Sequence, residues 1–258
     1  MPMTTENRNI LYCHDLSFSY QKSTHLIRNL ELTIYSGKFT GVVGPNGSGK
    51  STLAKLFAGM LKPHLGTISS HQIEMPPGDL LLTNASPIAV ILADPENQLI
   101  APTVRDELAF SLQVYQLDPK TLNARVEAAL DRFHLTKYQD IHPFFLSVGE
   151  QFRLLIAAAL VRTPHFLILD EVFSMLDTYT RLEITDILLS LKEDFGLGVV
   201  LITHRLEDLL SADTIIVFCD GMVAAQGSVD EIFAAASVNP NWGIEVPAFI
   251  QLRPPILE

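Results

Sequence analysis

Gly44-Pro45-Asn46-Gly47-Ser48-Gly49-Lys50-Ser51, with Thr52 behind it, is the stretch from which the fold is read. It fits the pattern G-x4-G-K-S/T. An apolar run ending at Val43 precedes it, and a helical period through Leu53, Leu56, Phe57 and Met60 follows it. That strand–turn–helix context is what a phosphate-binding loop requires. Glycines let successive backbone N–H groups turn inward with no Cβ in the way, and the positive end of the next helix adds to this concave set of donors. Lys50 supplies a point charge for the terminal phosphates, Ser51 a hydroxyl for a magnesium ion, and Thr52 caps the turn.

Outward from this loop, residues 11–20 and 30–35 alternate apolar and polar side chains and read as paired antiparallel strands. Residues 38–43 form a third strand and residues 66–73 another; residues 74–87, rich in Pro, Gly and Asn, read as a loop. Residues 88–92 are wholly apolar, as in a strand buried on both faces. The middle of the chain is helical. Residues 103–116, 119–134 and 147–161 carry the helical period, with Pro119 in a first turn after Asp118. Apolar strands then return at 166–169, 199–203 and 214–218, separated by helices. This alternation predicts an α/β core with a parallel sheet, interrupted by a helical subdomain at 101–162.

A phosphate loop needs a carboxylate on the metal side. Phe166-Leu167-Ile168-Leu169-Asp170-Glu171 ends an apolar strand in two acids, which requires something cationic to receive them. Asp170 is the candidate magnesium ligand and Glu171 the group that orients or deprotonates an attacking water. Leu146-Ser147-Val148-Gly149-Glu150 opens a helix and offers a second anion-binding point suited to a γ-phosphate. One monomer cannot easily wrap both helix starts around one nucleotide, whereas two chains facing head to tail could each lend this segment to the other.

The formal net charge is −11, from 18 basic and 29 acidic residues, which repels a nucleic-acid backbone and argues against a DNA or RNA partner. Apolar residues make up 48% of the chain, and a large interior or a buried interface would take that share. The longest apolar candidate, residues 80–93, carries Asn84 and Pro87 and is too short to span a bilayer. Residues 1–9 lack the apolar stretch of a signal peptide. Cys13 and Cys219 have no metal-ligand spacing and read as buried free thiols.

Taken together these motifs resemble the ABC-type ATPases, in order and over nearly the whole chain. The resemblance implies a RecA-like P-loop NTPase core (residues 1–100 and 163–236) with an N-terminal antiparallel β subdomain, the helical subdomain at 101–162, and a C-terminal extension at 237–258. It also implies that Tyr20 stacks on adenine, that Leu146 to Glu150 is the signature segment acting in trans, and that Asp177 of Ser174-Met175-Leu176-Asp177 belongs to the D-loop. His204 becomes the switch histidine, catalytic beside Lys50 and Glu171, with ATP and magnesium as ligands. Asp94-Pro95-Glu96-Asn97-Gln98, Thr103-Val104-Arg105-Asp106-Glu107-Leu108-Ala109-Phe110 and Gly243-Ile244-Glu245-Val246-Pro247 further resemble the ATPases of energy-coupling-factor transporters, importers of cobalt, nickel and vitamins. That implies a second ABC ATPase subunit (the same chain or a different one), an integral membrane coupling subunit and a substrate-binding membrane protein, at the cytoplasmic face of the membrane.

The chain departs from the family pattern at four places. Ala93 stands where a glutamine is usual, leaving Asp94 or Gln98 as the nearby polar candidates; Val148 replaces glycine, Glu150 replaces glutamine, and Val172-Phe173 replaces Pro-Thr. The alternatives are a soluble ABC ATPase, which usually carries a coiled coil, a second copy or basic segments, and a regulatory subunit with weak catalysis, favoured by Ala93 and Val148 and opposed by Glu171.

Overall fold

The computed structural model describes residues 9–21, 26–70, 73–74 and 87–244. In chain order the elements are β1 (Ile10–Phe18), β2 (Ile27–Tyr35), β3 (Phe39–Val43), α1 (Lys50–Phe57), β4 (Leu65–Ser70), β5 (Ile73–Glu74) and β6 (Ile88–Ile91). Three helices follow, α2 (Val104–Leu112), α3 (Pro119–Arg132) and α4 (Val148–Leu160). The chain continues through β7 (Phe166–Asp170), α5 (Thr178–Phe195), β8 (Gly198–Thr203), β9 (Thr214–Cys219), β10 (Met222–Gly227) and α6 (Val229–Val238).

One sheet has the order β10-β9-β3-β8-β7-β6, parallel throughout except for the antiparallel edge strand β10. The other, β2-β1-β4-β5, is antiparallel. The unbroken apolar strands are explained by the large sheet having both faces covered. Its two-residue period divides the side chains: Val42, Ile168, Val200, Ile202, Ile216 and Phe218 pack with α1 and the small sheet. Val43, Leu167, Leu169, Val199, Leu201, Ile215 and Val217 pack on the other face with the remaining helices.

Local chemistry sets the ends of the helices. Thr103 caps α2 by accepting from the Asp106 amide, Asp118 caps α3, and Asp177 caps α5, which ends at Gly196 in the left-handed conformation. α2 stops four residues short of the expected 116, because Gln113–Tyr115 tightens into a 3-10 turn and Gln116 turns left-handed.

The structure also corrects three other expectations, for residues 66–73, Glu74 and Cys219. Residues 66–73 are not one strand: Ser70 pairs antiparallel with Ile73 and Ser69 with Glu74, so the chain reverses within that stretch. Glu74, expected to open a loop, is therefore in a strand, and residues 75–86 of that loop lie outside the described residues. Cys13 is buried, as expected, but Cys219 is only half-buried, because it ends β9 where the sheet opens towards the phosphate loop. The expected start of the C-terminal extension falls inside α6, and residues 245–258 lie outside the described residues. Among the described residues no helix is long and apolar enough to cross a membrane.

Candidate functional site

Strands β3, β8 and β7 are neighbours, and their carboxyl ends deliver the glycine loop, Thr203-His204 and Asp170-Glu171 side by side. In an open parallel sheet this edge is where ligands bind. Gly44 is required here: a Cβ on it would lie 2.0 Å from the Phe218 carbonyl oxygen, so the loop reaches its depth only without a side chain. Gly49, at φ 104, makes the left-handed turn into α1.

Lys50 is 5% exposed, and its Nζ donates to the carbonyls of Gly44 (2.8 Å) and Pro45 (3.0 Å). Ser51 Oγ donates to Asp170 Oδ1 at 3.0 Å, joining residues 119 apart in sequence. Burial lowers the pKa of Lys50, against the pull of Glu171 and Asp170. Burial raises that of Asp170, helped by Glu171 and opposed by Ser51, Lys55 and Lys50. The buried charges of Lys50 and Asp170 are thus incompletely compensated within the protein alone. Ser48 Oγ is buried with no hydrogen-bond partner beside the loop. An orphaned hydroxyl, a concave glycine loop and a hydroxyl–carboxylate pair fit a phosphate–metal group.

Glu171 has left-handed backbone, φ 54, and its amide donates to the Ile202 carbonyl at 2.9 Å. Its Oε2 lies 2.9 Å from His204 Nδ1. The loop carrying His204 is held by residues that motif spacing did not single out. Thr203 Oγ1 donates to Asp208 Oδ2 (2.8 Å) and accepts from the Arg205 amide (3.1 Å), while Arg181 of α5 meets buried Asp208 at 3.5 Å. Two of these contacts lie within the loop itself, and the third ties it to α5 from residues far away in sequence. A cavity of about 470 Å³ opens beside the loop, lined by Gly44, Pro45, Asn46, His204, Glu207 and Gly243 among others. Tyr20, 62% exposed, stands edge-on to Phe18, with its hydroxyl 3.3 Å from Thr52 Oγ1.

Residues 146–150 form the entry to α4. Ser147 is the N-cap, and its side chain and that of Glu150 make a reciprocal capping box. Gly149 packs tightly on α5: a Cβ there would lie 2.5 Å from Thr180 Cγ2, and Thr180 is hydrogen-bonded to Asp177. The segment's contacts thus run to the Asp177 turn, and Val148 is exposed. Near Ala93, Gln98 and Asp94 are both used within their own loop. Gln98 donates to the Leu92 (3.0 Å) and Asp94 (2.6 Å) carbonyls and accepts from the Leu92 amide (2.9 Å). Asp94 accepts from the Glu96 amide and the Asn97 side chain.

The fold and this site define a phosphate-loop nucleoside triphosphatase with an α/β core. Comparison with known proteins narrows the class. Residues 27–174 match the family described as ABC transporter. The Energy-coupling factor transporter ATP-binding protein EcfA1 of Caldanaerobacter subterraneus subsp. tengcongensis is 32% identical, over 95% of this chain and 88% of that protein. Its counterpart in Clostridium novyi is also 32% identical, over 95% and 89%. A solved structure of cbiO1 from Clostridium perfringens, described as part of the ABC transporter complex cbiONQ, superposes with a TM-score of 0.80 at 30% identity, covering 94% of this chain and 97% of that one. The chain belongs to the ABC transporter family, among the energy-coupling factor transporter ATP-binding proteins, and is an ATPase whose hydrolysis is coupled to transport.

Proposed function

We propose that this chain drives an energy-coupling-factor importer of a metal ion or vitamin, as a peripheral subunit at the cytoplasmic face of the membrane. One observation carries the catalytic part of this reading: Lys50, the Ser51–Asp170 pair and the Glu171–His204 pair lie at adjacent strand ends. MgATP, when bound, supplies the anhydride bond to be cleaved and the charge of its metal. The residues have separable roles. The backbone N–H groups from Asn46 to Ser51 and the Lys50 ammonium hold the phosphates, Ser51 and Asp170 hold magnesium, and Tyr20 holds the adenine. Glu171 accepts the proton of the attacking water, and His204, hydrogen-bonded to it, faces the terminal phosphate.

The relatives' names and the exposed surface support a set of partners for this chain. A second ATPase subunit would lend its signature segment to this site and receive Leu146 to Glu150 of this chain, with Asp177 at the junction. Exposed Phe144, Phe145, Met175 and Tyr179 flank that segment and suit an interface. Movement of the helices at 101–162 against the α/β core would be passed to an integral membrane coupling subunit that carries a substrate-binding membrane protein. A second reading, a regulatory subunit with weak catalysis, is favoured by the engagement of Gln98 within its own loop next to Ala93.

Glu171→Gln separates the two readings. General-base catalysis contributes about 10²–10⁴-fold, so kcat should fall by about that much while MgATP still binds. Hydrolysis left unchanged would remove Glu171 from the mechanism and favour the regulatory reading.

A further inference from the structure

The capping box at the start of α4 uses the same groups that an incoming phosphate would need. Ser147 has one hydroxyl proton, and it goes to Glu150 Oε2 at 2.8 Å. The Ser147 amide donates to the same oxygen at 2.9 Å, and Ser147 Oγ accepts from the Glu150 amide at 3.3 Å. Every donor of Ser147 is therefore engaged within its own turn. The carboxylate also neutralises the positive field of the helix N-terminus, the field that would attract another anion. Glu150 is anionic at neutral pH: burial works against ionisation, but hydrogen bonds from Tyr138 and Ser147 and the charge of Arg153 outweigh it and lower its pKa. Its side chain is only 17% exposed, so water screens it incompletely.

We propose that Glu150 is a built-in anionic competitor at the signature segment, which must give up Ser147 before the terminal phosphate of a nucleotide held by a facing subunit can take its place. Residues 146–150 thereby become the weak half of the composite site, and closure of two subunits on ATP is held back by like charge at that point. The inference rests on the reading of this segment as a phosphate receptor in trans. A glutamine could keep the box, because its side-chain oxygen accepts the same two hydrogen bonds, while removing the charge. The box at α6 provides an internal control. There Ser228 gives its amide (2.7 Å) and hydroxyl (2.9 Å) to Glu231 Oε2 in the same geometry, at a helix start to which no phosphate is assigned.

The test uses the full-length chain carrying Glu171→Gln to slow turnover, with MgATP and a second copy of the same chain as probes. Sedimentation velocity gives the chain concentration at half-dimerisation. Adding Glu150→Gln should lower that concentration at least tenfold, adding Glu231→Gln should leave it within twofold, and adding Ser147→Arg to the Glu150→Gln form should abolish association. Equal midpoints with and without the Glu150→Gln change, an equal shift from Glu231→Gln, or no ATP-dependent dimer in the Glu150→Gln form would each overturn the competitor. Association that survives Ser147→Arg would instead overturn the signature reading, and MgATP titration of the single chain tests nucleotide binding separately.

Discussion

Replacing Lys50 with Met should abolish tight MgATP binding and leave the empty protein folded. Two opposing effects set the outcome for the apo state. The two carbonyls that accept from Nζ, those of Gly44 and Pro45, lose a charged donor, at a net cost of up to about 1.5–3 kcal/mol each and less where water replaces it. Against this, the folded-state pKa of Lys50 is lowered by burial. A lysine shifted down opposes folding at every pH below its folded pKa, neutral pH included, so removing its charge relieves that opposition. The two terms leave a change of about 1 kcal/mol or less, which in a chain of this size moves Tm by about 2–4 °C. Binding has no such offset. Two charge-assisted hydrogen bonds to phosphate, at about 1.5–3 kcal/mol each, correspond to roughly 10²–10⁴ in affinity. Isothermal titration with MgATP and a thermal melt on the same preparation measure both quantities. A collapse of Tm by more than about 10 °C, or an affinity within about threefold of the parent by the same arithmetic, would refute the reasoning.

Tyr20→Ala should weaken MgATP binding roughly 5- to 150-fold, from the loss of about 1–3 kcal/mol of base stacking; an unchanged Kd would take Tyr20 away from the adenine. Gly149→Ala places a methyl against Thr180 Cγ2 and should cost about 1–3 kcal/mol in urea unfolding, an effect relieved by Thr180→Ser and disproved if relief is absent. Asp213 accepts from the Phe39 amide (2.7 Å) and meets Lys192 (3.3 Å) and Lys38 (3.5 Å). Burial opposes its ionisation, but that amide and the two lysines prevail and lower its pKa. A depressed carboxylate stabilises above its unfolded pKa, about 3.9, and that stability is lost as pH falls through the folded value. Asp213→Asn should therefore cost about 1–3 kcal/mol at neutral pH, with the gap closing in acid; an equal loss at both pH values would contradict the assignment.

The parallel sheet was legible because strands covered on both faces must be apolar at every position, and 88–92, 166–169 and 199–203 are nearly so throughout. The phosphate loop and the acid pair were legible because chemistry fixes their spacing within a few residues. The antiparallel pairing of residues 69–70 with 73–74 was not, since no glycine or proline between 69 and 74 breaks the strand pattern. Strand β10 was missed because its inner face is only half-buried, at Val223, Ala225 and Gly227, and Met222 and Ala224 on the exposed face blur the apolar–polar alternation. Helix α6 did leave a sign, Ser228 followed three residues later by Glu231, and that capping box is formed. The Arg181–Asp208 contact was out of reach because it joins residues far apart in sequence, and the internal use of Gln98 because a polar side chain in a loop can turn inward or outward without changing the sequence pattern.

Gln98 grips the backbone on both sides of residue 93, at Leu92 and Asp94, with three hydrogen bonds from a single amide. The exit from β6 is thereby cross-braced like a short strut. Under the proposed coupling, a movement of α2 would meet a braced joint there before it reached β6, the strand next to Asp170's. In this chain the amide that braces the joint is a different one from the glutamine missing at 93, so mechanical stiffness and nucleotide sensing can vary independently.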